Sequence, residues 1–270
     1  DEFTGRVILD RKYDDTLVYV KFDRGLKSGG FNPTGVALTS NAGGGAVAAV
    51  DPELHNVFEI GTKGDYLGGV LRVNSSAYVN NITDMQLQKT VGLSSETFNA
   101  DVQVAGVELE ALLIPNEYTR ISFVGAYSSS EIDGYMDYDP RNPYGITSTS
   151  GEITVFPGAT VAGMTDKGLL FRSFGALCLN YFNALLGPDC VDSGPVMVDL
   201  TGRSLPGVPE TSYSVGYEVD VVNDERGLLT ARLDYNYRGE YYATQFNNPH
   251  ELIDGFSFTN FDMSYTSPSG

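Results

Sequence analysis

Apolar and polar residues alternate strictly in two neighbouring segments of the last quarter of the chain. In the first segment, one face carries Tyr213, Val215, Tyr217, Val219 and Val221, and the positions between them hold Ser214, Gly216, Glu218 and Asp220. The second segment repeats the pattern from Leu229 to Tyr237, after a compact polar turn at residues 223–227. Alternation of this length predicts β-strands with one apolar and one polar face.

Seven further segments share this alternation, which brings the predicted number of strands to nine. No run of amphipathic helices competes with them. These seven segments are Phe3–Leu9, Thr16–Leu26, Val57–Tyr66, Gly69–Gln88, Asp101–Leu113, Tyr118–Glu131 and Phe256–Thr266.

Short and long connections between the predicted strands alternate along the chain. Short turns fall near residues 11–15, 67–68, 115–117 and 223–227, and long loops near 27–56, 89–100, 132–209 and 243–255. This asymmetry is typical of an up-and-down outer-membrane barrel, which has short periplasmic turns and long extracellular loops. We therefore predict an all-β fold, an antiparallel transmembrane barrel.

A soluble β-sandwich or lipocalin-like barrel would also alternate apolar and polar positions. Three features favour the membrane barrel instead. Several strands reach 11 or more residues, whereas strands are usually about five or six residues long. The connection lengths alternate, and aromatic residues gather near strand ends as in an interfacial girdle, at Tyr127, Tyr235, Tyr237, Tyr241 and Tyr242.

Charge then decides which face meets lipid. A Lys or Arg on the lipid face at mid-membrane costs roughly 2–4 kcal/mol, so the charged face must line the lumen.

The chain has 35 Asp and Glu against 17 Lys and Arg, a formal net charge of -18. This acidic balance argues against a nucleic-acid partner, because phosphates need a basic surface. The first residues, Asp1-Glu2-Phe3, carry no signal peptide or initiator Met, which suggests mature or truncated sequence.

Several short motifs resemble those of TonB-dependent receptors, particularly the iron-complex type, and they follow one another in the family's order. The most specific is the run 18–32, with Leu26 where the family has an aromatic residue. A second set surrounds Pro52 and Phe58, and late motifs lie at 205–209 and 234–238. The positions that match the family's motifs are Arg24, Lys27, Gly29, Gly30, Phe31, Asn32, Glu59, Gly61, Lys63, Gln86, Gly106, Glu108 and Glu110.

The resemblance implies a 22-strand barrel filled by an N-terminal plug that carries the TonB box. Residues 1–270 then form part of a single barrel domain, about nine of its strands, without the plug. The implied function is import of a scarce solute, foremost a ferric siderophore, across the bacterial outer membrane. The implied partners are outer-membrane lipid, the protein's own plug domain and, through the plug, the TonB-ExbB-ExbD complex. A passive porin and a soluble β-rich ligand-binding domain remain alternatives.

The longest loop, about residues 132–209, holds the remaining candidates. Cys178 and Cys190 lie in a loop expected to pass through the oxidising periplasm, where a disulfide would staple it. Residues 169–186 are apolar at near-helical spacing and predict a short helix over the barrel mouth. Asp133, Asp137, Asp139 and Asn142 offer oxygen ligands for calcium, although a solvated acidic loop explains them better. Tyr135, Tyr138 and Tyr144 are candidate ligand contacts, or loop packing.

No catalytic chemistry is predicted from the sequence. His55 and His250 are the only histidines, and no Ser or Asp motif frames either of them as a nucleophilic or acid–base pair. Glu108 and Glu110 are two residues apart on one predicted strand and are better explained as lumen-lining residues than as a glycosidase pair. We expect no enzyme activity and no cofactor.

Overall fold

The computed structural model describes residues 2–32, 49–91, 94–139, 147–149, 152–154, 160–162 and 197–268. Its main element is one nine-stranded antiparallel sheet in which each long strand pairs with the next in the chain. We number these strands β1 to β9 in chain order. They are Gly5–Tyr13, Thr16–Lys27, Glu53–Tyr66, Leu71–Val91, Ser94–Asn116, Thr119–Asp133, Thr211–Asp224, Gly227–Arg238 and Phe256–Thr266.

The prediction of nine alternating strands is confirmed, and each predicted segment overlaps one of them. The predicted long loop at residues 89–100 is wrong, because β4 and β5 continue as a hairpin through Val91 and from Ser94. A bulge between Ile82 and Met85 precedes this extension, with Asp84 at a φ of 56°. The sequence alone did not show the packing that keeps this hairpin extended above the sheet.

The pairing register confirms that charged and apolar residues occupy opposite faces. Directly paired residues in an antiparallel sheet point to the same side. Glu218 pairs with Arg120 on β6 and Arg232 on β8, whereas the next residue, Val219, pairs with Ala231. We call the side of Glu218 the inward face and the side of Val219 the outward face.

The predicted side-chain orientation of one residue is wrong at the end of β7. The sequence pattern places Val221 on the same face as Val219. A bulge intervenes, however, because Asp220 pairs with Thr230 and Val222 pairs with Leu229. Val222 therefore takes the outward register position next to Leu229, and Val221 is the extra residue of the bulge.

Tyrosines mark both ends of the outward face. Near the long loops, the ring of Tyr213 lies 5.1 Å from that of Tyr237 and 6.1 Å from that of Tyr235. Near the short turns, Tyr265 is 60% exposed. Ser257, the partner of Tyr237, is eight residues from Tyr265 on β9, or roughly 27 Å at about 3.4 Å per residue. A strand tilted by about 40° would carry this distance through much of the apolar band of an outer-membrane barrel, which is about 25 Å tall.

Loop residues at the long-loop end pack against the extended β4–β5 hairpin and the end of β6. Their apolar side chains form one buried cluster, which we call the cap: Ile82, Leu87, Phe98, Ala100, Val102, Ile132, Leu200, Leu205 and Phe246. The short strands are Gly30–Phe31, Ala49–Val50, Met136–Asp137, Thr147–Thr149, Glu152–Thr154, Thr160–Ala162, Val198–Asp199, Tyr241–Tyr242 and Leu252–Ile253, and the 3-10 turns are Leu67–Gly69 and Pro249–Glu251.

The sheet is open, since its order runs from β1 to β9 and these two strands do not pair with each other. Residues of both edge strands are largely exposed. Within the described residues, no helix is long and apolar enough to cross a membrane.

Candidate functional site

The inward face carries a network of charges, which we call the polar wall. On β6 to β8, Arg120 Nη1 lies 2.9 Å from Glu218 Oε1, and Arg232 Nη1 lies 3.2 Å from Glu218 Oε2. Arg232 also contacts Asp234 at 2.7 Å. Because the period of a strand is two, these ionic residues of β7 and β8 all reach the same side. Where these three strands meet, the wall therefore sets two arginines against three carboxylates, since Arg120 also lies 3.7 Å from Asp220.

A second part of the polar wall lies on β2 and β3. Glu59 accepts a hydrogen bond from the hydroxyl of Tyr19 at 2.7 Å, and Lys21 Nζ lies 2.6 Å from its other oxygen. Lys21 also lies 3.5 Å from Asp23, which pairs with Arg6. Glu59, singled out by its motif, therefore ties two neighbouring strands together through their inward side chains.

Two motif glycines lie under tyrosine rings of this wall. A Cβ built on Gly61 would come within 2.5 Å of the Tyr19 ring, and one on Gly106 within 2.8 Å of the Tyr78 hydroxyl and the Tyr127 carbonyl oxygen. Contacts this short exclude any side chain unless the tyrosines move. The glycines thus leave the space that Tyr19 and Tyr78 fill on the inward face.

Four motif residues on the same wall, Glu59, Lys63, Glu108 and Glu110, border a small polar cavity of about 240 Å³. Glu110 accepts a hydrogen bond from Asn74 at 3.2 Å, and Glu108 is exposed beside it. The amino group of Lys63 lies 5.9 Å from the centre of the Tyr19 ring. The two glutamates leave carboxylate oxygens directed at whatever fills the inward side of the sheet.

The end of the motif run 18–32 contacts the extended β4–β5 hairpin through Ser28 and Asn32, an arrangement that we call the clasp. The side chain of Asn32 is 7% exposed and forms two hydrogen bonds with the backbone of Thr97, at 2.8 and 2.6 Å. A Cβ on Gly29 would meet the Val50 carbonyl oxygen at 2.5 Å, so only glycine fits there. Gly30 has open space around its Cα, and the Phe31 ring is 71% exposed.

Glu53 is the centre of the same clasp, although it was not among the site candidates. Its carboxylate lies 3.2 Å from Lys27 Nζ, accepts the backbone N–H of Gln86 at 2.9 Å and contacts His55 Nε2 at 2.6 Å. Gln86 in turn donates its side-chain amide to the carbonyl oxygen of Ser28. The buried acceptor and its three donors connect β2, β3 and β4. The second ring nitrogen of His55 contacts Asn80, so both ring nitrogens are engaged.

Arg24 lies on the outward face of β2, closer to the long-loop end than most of the apolar residues of that face. Its guanidinium donates to Asn56 Oδ1 at 3.0 Å and to the carbonyl oxygen of Phe3 at 3.2 Å. This motif residue therefore fastens the entry to β1 onto β2 and β3, outside the polar wall.

Asp137, one of the oxygen ligands considered for calcium, is paired with Lys89 beside the cap. The two side chains are 4% and 6% exposed, and Lys89 Nζ lies 2.5 Å from Asp137 Oδ1. The second oxygen of Asp137 has no hydrogen-bond partner among the described residues. The Lys89 amino group also lies 4.5 Å from the centre of the Tyr138 ring and 5.4 Å from that of Phe98. No sequence pattern marked Lys89 or Phe98 as site residues, because the hairpin and the loop come together only in the folded structure.

The other predicted loop residues are placed apart from one another. Asp133 is exposed, and Asp139 is 5% exposed and accepts a hydrogen bond from Asn248 at 3.0 Å. Among the described residues, no three His, Cys, Asp or Glu side chains are grouped to hold a metal. The calcium site stays a prediction, since Asn142 lies outside those residues.

The two described candidate tyrosines are half-buried supports of the cap. Tyr135 stacks on Phe98 with ring centres 4.8 Å apart. Burial, reinforced by Asp137 and Glu96, raises the pKa of Tyr135 to about 12. Burial, with Glu96 and Asp137, raises the pKa of Tyr138 as well. Tyr144, both cysteines and the helix predicted at 169–186 lie outside the described residues, so those predictions are not tested.

Comparison with known proteins gives a consistent result for the fold. A family model described as "TonB dependent receptor-like, beta-barrel" matches residues 1–269. The comparison with curated proteins finds no match.

Three solved structures are similar over nearly the whole chain. The ferric yersiniabactin uptake receptor FyuA from Yersinia pestis has 16% identity and a TM-score of 0.61, over 98% of this chain and 30% of its own. The ferric preacinetobactin receptor BauA from Acinetobacter baumannii has 17% identity and a TM-score of 0.57, over 98% and 29%. The copper transporter OprC has 13% identity and a TM-score of 0.56, over 97% and 31%. Such identities establish the fold alone, and the chain spans about 30% of the length of FyuA.

Proposed function

This chain belongs to the TonB-dependent receptor β-barrel family, and we propose that it forms part of the wall and loops of an outer-membrane importer of a scarce solute. The observation that carries the proposal is the separation of apolar and charged residues between the two faces of the sheet, with Arg24 on the outward face near the long-loop end. The outward face is apolar between two levels of tyrosine, and the inward face carries the polar wall. TonB-dependent receptors are transporters and not enzymes.

A ferric siderophore is the solute that we propose. Two observations support it: the motifs resemble those of the iron-complex type, and FyuA and BauA are named as receptors for ferric siderophores. OprC is named as a copper transporter, so copper is the competing ligand.

Loops at the long-loop end would capture the ligand, and Tyr135, Tyr138 and Tyr144 remain proposed contacts. The disulfide between Cys178 and Cys190 is proposed to hold the same loop together.

Energy for import would come from the inner-membrane TonB complex acting on a plug. In this proposal the plug is encoded elsewhere in the same gene and rests against Glu108, Glu110 and the rest of the polar wall. The outward face would contact outer-membrane lipid. Reading the gene on both sides of this segment tests the arrangement: a continuous frame with a TonB box and plug supports it. A frame that opens directly into barrel strands contradicts it.

The transport experiment uses the full-length protein in a Gram-negative strain that lacks its own siderophore receptors. Uptake of ⁵⁵Fe is measured from a panel of ferric siderophores, and copper uptake is measured in parallel. We expect saturable iron uptake that is lost when the TonB gene is deleted or when a protonophore collapses the proton gradient. Uptake that persists without the gradient would identify a passive pore. Failure of the protein to fractionate with the outer membrane would contradict both readings and favour a soluble binding domain.

A further inference from the structure

An apolar groove of about 700 Å³ crosses the outward face from β2 to β7. It lies over two neighbouring rows of outward side chains. Small residues, among them Ser75 and Ala77, lower the floor of these rows, and Leu109 lies between Ser75 and Gly125 in one of them. The ring of Phe123 lies over Gly125. Nearly all of its lining is apolar, so water would gain few hydrogen bonds in it.

A second cavity, of about 330 Å³, begins where the groove ends at the long-loop side. Thr211 lines both of them. The ring of Tyr213 in the groove lies 5.1 Å from that of Tyr237 in the second cavity. The second cavity is more polar than the groove, because Glu210, Glu240, Tyr241 and Tyr242 are among the residues that line it.

We propose that these two cavities together bind one lipid of the outer leaflet, with an acyl chain in the groove and a hydroxyl-rich, sugar-bearing headgroup in the second cavity. The proposal rests on the proposed outer-membrane placement. The succession of an apolar groove, a tyrosine level and a polar cavity is that of a membrane amphiphile entering the interface. The groove is also continuous with the outward apolar band, so its occupant must be hydrocarbon.

The charges of the second cavity select the headgroup. Carboxylates accept hydrogen bonds and donate none, so Glu210 and Glu240 match sugar hydroxyls. The same two carboxylates repel a phosphate, because like charges a few ångströms apart are unfavourable even near a surface. A sugar headgroup is therefore favoured over a phosphoglycerol headgroup on the same acyl chains.

The test uses the full-length receptor in phosphatidylethanolamine vesicles that contain a glycosyl diacylglycerol with a photoactivatable acyl chain. After illumination, mass spectrometry locates the labelled peptides. We expect labelling concentrated on the peptides that contain Ala77 and Gly125. Ala77→Phe should fill the groove and reduce that labelling about fivefold, the ratio that corresponds to about 1 kcal/mol. Ser75→Leu is the second variant should Ala77→Phe not insert.

The matched control is Ala231→Phe, the same substitution on the same outward face but outside the groove. It should leave labelling unchanged.

Glu240→Gln tests the headgroup cavity. It should reduce the preference for the glycosyl lipid over a phosphoglycerol lipid with the same chains, whereas Glu225→Gln in the short turn should not.

Equal labelling around the whole apolar band, or equal effects of Ala77→Phe and Ala231→Phe, would overturn the lipid site. Neither result depends on iron uptake. A receptor that imports iron with evenly distributed labelling refutes only the lipid site. Concentrated labelling without TonB-dependent uptake refutes only the importer.

Discussion

Glu218 in the polar wall lies between two arginines, and all three side chains keep contact with solvent, at 24% exposure for Glu218 and 42% and 44% for Arg120 and Arg232. Lys89 and Asp137 beside the cap are only 6% and 4% exposed. A solvent-screened pair contributes about 0–1 kcal/mol, so the wall gains little stability from any one contact. A buried pair has lost its hydration, and each partner then depends on the other. The comparison teaches that the wall tolerates loss of single charges and the cap does not.

The largest expected effect is in the cap. Lys89→Met would leave the Asp137 carboxylate buried without a counter-charge, a change that costs about 3–5 kcal/mol in buried pairs. We expect the segment around residues 134–139 to open, seen as faster amide hydrogen exchange there, while the protein still inserts into the membrane. The double variant Lys89→Met/Asp137→Leu should recover most of the protection. Unchanged exchange in the single variant would show that the pair does not hold the cap.

A charge on the outward face should have the next largest effect. Val219→Arg places a guanidinium in hydrocarbon at a cost of roughly 2–4 kcal/mol, whereas Glu218→Arg keeps its new charge on the hydrated inward face. We expect the first variant to lower folding yield in lipid vesicles much more than the second. Equal yields for the two variants would refute the assignment of the faces.

Removal of the Asn32 amide tests the clasp that joins the wall to the cap. Asn32→Ala leaves the Thr97 backbone N–H and carbonyl without their side-chain partner, which costs about 1–3 kcal/mol for buried groups. Hydrogen exchange at Thr97 should accelerate. Asn116→Ala removes a comparable amide–backbone bond, to Tyr118 in an exposed short turn, and should have little effect. A similar change for both variants would mean that burial does not matter at Asn32.

The smallest expected effect is a pH dependence confined to the cap. The pKa of Tyr135 is raised to about 12 in the folded protein, whereas an unfolded tyrosine has a pKa near 10. The neutral phenol therefore stabilises the cap below about pH 10, and this contribution is lost as the pH rises through about 12. Near-ultraviolet circular dichroism should report the loss in that interval, and Tyr135→Phe should weaken it. An identical alkaline transition in the variant would assign it to other groups.

The sequence by itself determined the number of strands, their order and which face carries charge. These properties follow from a period of two and from the cost of charge in hydrocarbon, and both are local to each strand. The alternation in β7 and β8 therefore predicted that Glu218 and Arg232 lie on the polar face, although not that they pair, and the motif run 18–32 marked residues that make specific contacts.

Only the tertiary structure determined which residues form the cap. Phe98, Leu200 and Phe246 come from three distant segments, and no local pattern relates them. The hairpin at residues 89–100 lacked a long alternating pattern and was predicted as a loop. It is extended in the structure, where loop residues pack against it and Asn32 bonds to the backbone of Thr97. The same packing pairs Asp137 with a buried lysine, a contact that the sequence pattern did not indicate. Contacts between residues far apart in sequence depend on how the chain closes on itself, which periodicity does not encode.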